Sequence, residues 1–521
     1  MCGEMSRIGI ILSSNYVEAD LEAVYGKIPP SFLPVSFDRL YKKQIHELAK
    51  NCSKIFMTVP TDYLIPTFDL EFLTQVPITI VRLNTDLSIC EAILEILELT
   101  LGDDSLEFMY GDTLILESLG LDEISISSKP NQHGWGTNGS ILLFQNRYHA
   151  NESLIMSGKF CLSNVDDLKK SIFLSNNDIL KALELYDADH KLTYVISRQW
   201  YDFGHLSTLQ QSKLRVPDFR HFNSITLKAD RVTKTSTNLR KLQSEVNWYL
   251  SVPESIRHYV PTLISSSNSS YTLSYIDDPT ISELLVFGNL EKLKWVEIIN
   301  GFRLYFLDCL LLGESYLGTA LESNDLETLV REKTNARIEE LLNSPFSYED
   351  FTEKEILLLV DSMNLDGLFS KIDFNRNDLK GFFHGDLVAS NVFWNSSARC
   401  LTFVDPRGFE GNILDGLLGD LRYDLAKIYQ SLVLGYDFVI AGRYILSQNL
   451  GSKRNLSFNL KSSINFEAIL NENLFKPLGV DLVEIRSIAL LLIIGLLPLH
   501  QDRPDRQNAF LLMISEHFKD A

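Results

Sequence analysis

The sequence predicts two successive folds: an α/β domain with a mostly parallel sheet over residues 1–215, and an α+β domain over residues 220–521. Three observations support this. Short apolar strands alternate with helical segments in the first part. The second part opens with alternating strand patterns and continues as long helical ones. A chain of 521 residues, 45% of them hydrophobic, is long enough to bury two or three cores.

The strands of the first part are predicted from short apolar runs. Residues 7–12 are apolar almost throughout, and further strands are predicted at 54–59, 78–83 and 106–110. Helices are predicted between them at 37–51 and 88–100. Ligands of parallel sheets bind at the carboxyl ends of the strands, and Asp112 follows one such end. An aspartate there fits a metal ligand and a turn residue equally well.

The second part opens with a hairpin and a helix that together place two charged residues. Strands are predicted at 224–227 and 231–235, with Lys234 on the second strand. A helix is predicted over 238–250 and carries Glu245. In phosphoryl-transfer enzymes such a lysine contacts the α and β phosphates and pairs with the glutamate, which fixes the helix against the strand. The alternative is a solvated lysine with a helix-surface glutamate, and Lys228 is a competing lysine.

Further elements follow in order. A strand that begins at Tyr271 precedes a helix opening at Thr280, where Glu283 completes a capping-box pattern. Helical patterns cover residues 290–312 and 325–342. The apolar run 488–497 and the polar residues 498–502 are predicted to be a buried C-terminal helix and its cap.

One stretch carries a catalytic pattern of His384, Asp386, Asn391 and Asp405. Two short strands within 392–404 are predicted to form a hairpin with Asn391 at its start and Asp405 at its end, near one ion. In phosphoryl transfer an aspartate accepts the proton of the attacking hydroxyl, and an asparagine and a second aspartate hold magnesium. The sequence therefore predicts magnesium-dependent phosphoryl transfer.

This stretch resembles the aminoglycoside phosphotransferase and choline kinase branch of the protein-kinase-like superfamily, which has glycine where protein kinases have arginine, as at Gly385. The resemblance implies that Asp386 is the catalytic base. It also implies that Asn391 and Asp405 are the magnesium ligands and that His384 braces the loop.

Residues 405–408 and 419–427 resemble a subgroup associated with capsule and surface-polysaccharide synthesis. In that subgroup Asp424 would hydrogen-bond the catalytic loop from beneath; the alternative is a helix N-cap or an acid in the first turn of a helix. The same resemblance implies an N-lobe over 220–280 and a helical C-lobe over 281–521. The base of ATP or GTP would bind backbone groups at Ser274, Tyr275 and Ile276, and helices after residue 290 would line the acceptor pocket.

The first part resembles sugar-phosphate nucleotidyltransferases. Residues 200–206 are similar to the segment that supplies their second metal-binding aspartate, which implies Asp112 and Asp202 as a metal pair. Residues 28–35 are similar to their early proline-rich segment, but Ser31 or Phe32 replaces its lysine. Residues 13–20 replace the glycine-rich loop and its arginine. A triphosphate needs backbone room and positive charge, so we expect a degenerate domain.

Composition limits which partners and which cellular compartment we expect for the protein. The net charge of −20 argues against nucleic acid and against an anionic membrane surface. No apolar run is expected to reach the roughly 18 residues that span a bilayer, and residues 7–12 are too short for a signal peptide. Six cysteines without a Cys-x-x-Cys pair indicate free thiols in a reducing cytoplasm.

The favoured function is a magnesium-dependent kinase that transfers the γ-phosphoryl group of ATP or GTP to a hydroxyl of a sugar or related polyol. Its capsule or surface-polysaccharide context comes from the resemblance. The alternatives are a non-catalytic scaffold that binds nucleotide or sugar, and a bifunctional kinase and nucleotidyltransferase. The identity of the acceptor, the choice of ATP or GTP and the oligomeric state stay open.

Overall fold

The computed structural model describes residues 7–100, 104–127, 155–216, 225–228, 230–316, 326–343, 365–408, 417–448, 454–458 and 464–517. The chain divides into two compact units. The first comprises Met1–Phe219 with Phe287–Asn289, and the second comprises Arg220–Val286 with Leu290–Ala521.

The first unit is an α/β fold around a seven-stranded, mostly parallel sheet, as the sequence predicted. Arg7–Leu12 pairs in parallel with Lys54–Pro60 on one side and with Ser105–Tyr110 on the other. Ile155–Leu162 runs antiparallel to both of its neighbours. The spatial order of the strands is Thr193–Ile196, Glu123–Ser127, Ile155–Leu162, Ser105–Tyr110, Arg7–Leu12, Lys54–Pro60, Ile78–Leu83.

Helices cover the sheet and close its core. Ser88 begins Ile89–Leu97 with a complete capping box, and Phe108 stacks on Phe160 with ring centroids 4.7 Å apart. The helices of this unit are Ala19–Tyr25, Leu40–Leu48, Thr67–Gln75, Ile89–Leu97, Val165–Leu174, Ile179–His190 and Leu206–Lys213.

The second unit opens with a four-stranded antiparallel sheet. Its spatial order is Ile225–Lys228, Arg231–Thr235, Ser270–Ser274, Leu263–Ser266. The predicted start of the first strand, at Ser224, lies outside the described residues. The helix Leu239–Ser251 follows the hairpin, and the side chain of Asn238 caps it by accepting from the Lys241 N–H.

The rest of this unit is mainly helical. Its α-helices are Ile281–Phe287, Lys292–Tyr316, Lys333–Asn343, Leu365–Phe369, Leu421–Leu432, Tyr436–Ile440, Phe466–Leu470, Leu482–Ile494 and Pro504–His517. The described part of this unit also contains three antiparallel strand pairs: Lys380–Phe382 with Leu418–Asp420, Val392–Asn395 with Cys400–Phe403, and Tyr444–Gln448 with Arg454–Phe458.

Two helix predictions need correction. The predicted C-terminal helix begins earlier, at Leu482, and the chain continues into Pro504–His517 instead of ending in a cap. The helix predicted from Asp325 instead contains a π-helical turn, Thr328–Glu332, before Lys333–Asn343, and Asp325 itself lies outside the described residues.

One helical stretch in the described part of the chain, Leu482–His500, is apolar and long enough to cross a membrane by length and composition. The expectation that no run would reach that length was therefore wrong. However, 67% of this stretch is buried inside the protein. The helix Leu482–Ile494 buries side chains on all its faces, which is the packing of a central core helix.

Candidate functional sites

The loop after strand Lys380–Phe382 is held from beneath by Asp424. The backbone N–H groups of His384 and Gly385 each donate to one oxygen of the Asp424 carboxylate, at 2.9 Å. Asp424 is fully buried within the helix Leu421–Leu432, and the cap of that helix is Asp420. Asp424 is therefore not the N-cap, but it does lie in the first turn of the helix, as the alternative stated. Burial raises the pKa of Asp424 to about 7, against the lowering effect of the two N–H donors.

The His384 ring joins two segments of this site. Its Nδ1 accepts from the Asp386 N–H at 3.3 Å, so its Nε2 is the protonated nitrogen that donates to the Val404 carbonyl at 3.1 Å. Burial lowers the pKa of His384 to about 4, although the carboxylates of Asp386 and Asp405 act to raise it. His384 is thus a neutral, buried link between two loops.

Asp386 lies beside a buried ammonium group that was assigned no role from the sequence. Its Oδ1 lies 3.3 Å from Lys427 Nζ, and 44% of the Asp386 side chain is exposed. Burial acts to raise the pKa of Asp386, but Lys427 and His384 outweigh it and the pKa is lowered. Asp386 is therefore a carboxylate near neutral pH, reachable by a ligand.

Asn391 and Asp405 lie at adjoining ends of the hairpin. The Asn391 side chain donates its Nδ2–H to the Asp386 carbonyl at 2.9 Å, which leaves its amide oxygen for a cation. The Val404 N–H donates to the Asn391 carbonyl at 3.0 Å. Asp405 has a φ of 55°, and its N–H donates to the Tyr249 hydroxyl at 3.2 Å. The structure thus brings Asn391 and Asp405 next to the Asp386 loop.

Lys234 connects the sheet, the following helix and the end of the hairpin. Its ammonium donates to Glu245 Oε2 at 2.7 Å and also donates to Asp405 Oδ1. The Tyr271 hydroxyl donates to the same Glu245 oxygen at 2.8 Å, and Glu245 is 1% exposed. Although burial lowers the pKa of Lys234, its two carboxylate partners raise it overall. Lys234 is therefore a fixed positive charge beside Asp405.

The three residues expected to bind the nucleotide base are Ser274, at the end of strand Ser270–Ser274, and the two residues after it. The N–H of Ser274 donates to the Thr262 carbonyl at 2.9 Å, and the N–H of Tyr275 donates to the Asp230 carbonyl at 2.8 Å. No acceptor for the Ile276 N–H is found among the described residues. Of the three, Ile276 has the backbone donor that a base could use.

In the first unit, Asp112 and Asp202 lie around one small space. A methyl group on Gly204 would lie 2.9 Å from Asp112 Oδ2 and 3.3 Å from Asp202 Oδ1. The strands Thr113–Ile115 and Trp200–Asp202 pair antiparallel, and this pairing places the two aspartates side by side. Burial raises the pKa of Asp112 to about 7, and the charge of Asp202 adds to the effect. Two carboxylates held this close suit a shared cation.

A cavity of about 220 Å³ in the same unit reaches Asp112. Its walls include the loop that replaces the expected glycine-rich segment, with Ser13, Ser14 and Asn15, and the ring of Tyr16. Among the described residues that line it, Asp112 and one glutamate, Glu18, are charged, and none is a lysine or arginine. The walls therefore offer no cation to a triphosphate.

Neither aspartate site forms a complete protein metal centre. No group of three or more His, Cys, Asp or Glu that could hold a metal ion occurs in the parts of the chain that the structure describes. Magnesium in nucleotide enzymes is bound by one or two protein oxygens together with substrate phosphates. The oxygen ligands of Asn391 with Asp405 fit that mode.

No protein-family model matches the chain, and no curated protein matches its sequence. Similar solved structures include a candidate glucose-1-phosphate thymidylyltransferase from Bacillus anthracis, 15% identical with a TM-score of 0.34, covering 42% of this chain and 98% of its own. The inositol-1-phosphate CTP transferase from T. maritima is 14% identical with a TM-score of 0.28, covering 39% and 92%. A nucleoside-diphosphate-sugar pyrophosphorylase from Vibrio cholerae is 13% identical with a TM-score of 0.30, covering 39% and 99%. These similarities fall on the N-terminal α/β part of the chain.

Proposed function

We propose that the second unit is a magnesium-dependent kinase that transfers the γ-phosphoryl group of ATP or GTP to a hydroxyl of a sugar or related polyol. One observation carries the proposal. The Lys234 ammonium binds both Glu245 and Asp405, while Asp405 adjoins the loop that bears Asp386 and Asn391. The lysine that we propose to bind nucleotide thus lies beside the loop that we propose to carry out phosphoryl transfer, which supports the proposal.

Each residue has a distinct part in this reaction. The lowered pKa of Asp386, which Lys427 produces against the effect of burial, keeps it a carboxylate able to orient the acceptor hydroxyl and accept its proton. Lys234 would neutralise charge on the nucleotide phosphates. Asn391 and Asp405 would hold Mg²⁺, which when bound neutralises the charge of the transferred group. The remaining contribution to the reaction rate is the positioning of the reactants, because Asp424 holds the backbone of the loop in place.

The test is nucleotide turnover on the full chain with Mg²⁺ and a pool of sugars, sugar phosphates and polyols. We expect acceptor-dependent turnover of ATP or GTP, and a loss of roughly 10²-fold to 10⁴-fold in kcat for Asp386→Asn. Asp502→Asn, a substitution of an exposed aspartate in the same unit, is the matched control. Equal activity in wild type and Asp386→Asn would contradict the proposal, and nucleotide binding without turnover would favour a scaffold.

We further propose that the first unit is a degenerate nucleotidyltransferase domain that binds a ligand without transferring a nucleotidyl group. The convergence of Asp112 and Asp202 around Gly204 supports a cation site. The cavity beside it has no lysine or arginine among its described lining residues, which disfavours a triphosphate. We assign the protein to the cytoplasm and to the synthesis of surface-polysaccharide precursors, on the basis of its free thiols and of its likeness to the capsule-associated subgroup.

A further inference from the structure

Positive charge gathers around the candidate catalytic base of an otherwise acidic chain. The whole chain has a net charge of −20, yet Lys427 contacts Asp386 and Arg407 packs against Gly385 of the same loop. The charges of Arg407 and Lys427 also act on Lys333. We call Lys333, Arg407 and Lys427 the cationic cluster.

Lys427 is the buried member of the cationic cluster. Its ammonium lies 3.3 Å from Asp386 Oδ1 and 5.9 Å from the centroid of the Tyr423 ring. It projects from the helix Leu421–Leu432, which also carries Asp424. Its position is therefore fixed by the same element that holds the catalytic loop.

Arg407 lies directly against the catalytic loop. Its N–H donates to the His384 carbonyl at 2.9 Å, and a methyl group on Gly385 would lie 2.7 Å from Arg407 Cβ. Its side chain is exposed, and among the described residues no carboxylate lies within ion-pair distance of its guanidinium. A guanidinium in this setting can bind two oxygens of a phosphate or carboxylate.

Lys333 completes the cationic cluster as the first residue of the helix Lys333–Asn343. The next residue, Thr334, is buried and donates to the Leu491 carbonyl at 3.4 Å, which fixes this helix end on the central core helix. No carboxylate in the described part of the chain pairs with the Lys333 ammonium. The Tyr423 hydroxyl acts to raise the pKa of Lys333, but burial and the charges of Arg407 and Lys427 lower it overall.

Lys427 already has Asp386 as its partner, whereas the side chains of Arg407 and Lys333 are exposed and can attract an anion. The nucleotide already has Lys234 and its carboxylate partners on the side of the sheet. The cationic cluster instead lies on elements of the helical part, beside Asp386, where the acceptor hydroxyl must come. A neutral polyol would leave the positive charges of Arg407 and Lys333 without a counter-charge, and a cationic acceptor such as choline would be repelled.

We propose that the acceptor is an anionic alcohol, a sugar that bears a phosphate or a carboxylate, held by Arg407 and Lys333 with its hydroxyl at Asp386. This inference rests on the proposed kinase function. Lys427 balances the charge of Asp386 when the anionic acceptor approaches. Because the bond that forms joins the acceptor oxygen to the γ-phosphorus and the bond that breaks releases ADP or GDP, the anionic group of the acceptor is not consumed.

The first experiment compares four acceptors of one sugar skeleton with Mg²⁺ and ATP or GTP: glucose, glucosamine, glucuronate and glucose 1-phosphate. We expect an anionic member to have a kcat/KM at least about tenfold above that of glucose, the size of one charge-assisted contact. The double variant Arg407→Gln/Lys333→Gln should raise the KM of that acceptor about tenfold or more and leave the KM of the nucleotide unchanged. Arg231→Gln/Lys476→Gln, which removes two exposed charges of the same unit, is the control.

A second measurement separates this inference from the kinase proposal. Calorimetric titration of inorganic phosphate into the protein with MgADP needs no turnover, and phosphate binding should be lost in Arg407→Gln/Lys333→Gln but kept in Asp386→Asn and in the control. Loss of binding together with absent turnover would retain the anion site and reject the kinase. Equal phosphate binding by the double variant, or preference for glucose or glucosamine as the acceptor, would overturn the inference.

Discussion

At the scale of single residues, two buried groups have opposite effects on stability as pH changes: His384 in the Asp386 loop, and Asp424 in the helix beneath it. His384 has a pKa lowered by burial from 6.5 to about 4, whereas Asp424 has a pKa raised by burial from 3.8 to about 7. Between these limits the unfolded chain binds more protons than the folded chain at His384 and fewer at Asp424. The two contributions therefore oppose one another across the same pH range.

Replacing His384 should remove its pH-dependent contribution to stability and so make that contribution measurable. The stability that neutral His384 provides is present above pH 6.5 and is lost as the pH falls toward 4. His384→Gln should thus gain stability relative to wild type over that fall, by roughly 3 kcal/mol at most. Urea unfolding at pH 4.5, 5.5 and 7 measures the difference. Asp424→Asn is the opposite control, since its stability relative to wild type should increase as the pH rises from 4 to 7.

A second prediction at this scale concerns the buried carboxylate of Glu245. Lys234→Met removes the nearer of its two ammonium partners and leaves Glu245, 1% exposed, with the Tyr271 hydroxyl at 2.8 Å and the exposed Lys241 ammonium at 3.8 Å. We expect a loss of about 3–5 kcal/mol in the free energy of unfolding, as for other broken buried pairs. Lys234→Met/Glu245→Gln should recover part of that loss, as measured by urea unfolding. If the second substitution recovers nothing, the ion pair does not contribute as the geometry indicates.

At the scale of elements, the end of the 405–408 segment packs against the helix Leu239–Ser251 with no space for a side chain. Gly408 has a φ of 73°, and a methyl group there would lie 2.4 Å from Ser244 C and 2.6 Å from Glu245 N. The same contact positions Glu245 and, through it, Lys234. Gly408→Ala should therefore displace the helix from Asp405 and weaken nucleotide binding about tenfold or more, because the contacts of Lys234 depend on this packing.

Gly442 provides the matched control for that substitution. Its φ of 68° resembles that of Gly408, but nothing lies within 4 Å of a methyl group placed on it. Gly442→Ala should cost about 1–2 kcal/mol of stability through the left-handed backbone alone and leave nucleotide binding unchanged. Fluorescence titration of a nucleotide analogue with both variants measures the contrast. Equal binding by Gly408→Ala and Gly442→Ala would show that the helix position does not govern the nucleotide site.

Elements with a strong local pattern were predictable from the sequence, and those that depend on distant partners were not. The spacing of Asp386, Asn391 and Asp405 is local, because a single loop and hairpin carry all three. The strand Ile155–Leu162 was missed although all eight of its residues are buried. A lysine such as Lys159 is typical of a surface position. In the structure it is buried and pairs with Glu107 of the neighbouring strand, at 3.2 Å.

Dependence on partners far away in the chain also explains why some site residues were not predicted from the sequence. Lys427 lies within a run that the sequence identified, but its contact with Asp386 joins residues 41 positions apart in the chain. Lys333 and Arg407 likewise come from separate segments. Side-chain charge can be read from the sequence, but whether charges gather or disperse depends on tertiary packing. The sequence therefore supports a proposal for the reaction class, whereas the proposed charge of the acceptor depends on the packing of these segments.

At the scale of the whole molecule, the two candidate sites lie in separate compact units, which makes their independence testable. Asp112→Asn/Asp202→Asn removes the carboxylate pair of the first unit and leaves every proposed kinase residue in place. Since Asp112 has a pKa raised to about 7 by burial and by Asp202, the substitution should also stabilise the first unit at pH 8, where both carboxylates are charged. Differential scanning calorimetry measures that gain.

We expect the same double variant to keep its kcat and nucleotide KM within about twofold of wild type, because substitutions in separate compact units should act independently. Its affinity for Mn²⁺, measured by calorimetry without nucleotide, should fall, because Asn supplies one neutral oxygen in place of a charged carboxylate. Asp386→Asn should show the reverse pattern, with normal Mn²⁺ binding at the first unit and lost turnover. Loss of turnover in Asp112→Asn/Asp202→Asn with unchanged unfolding would instead mean that phosphoryl transfer requires the first unit, as in a bifunctional enzyme.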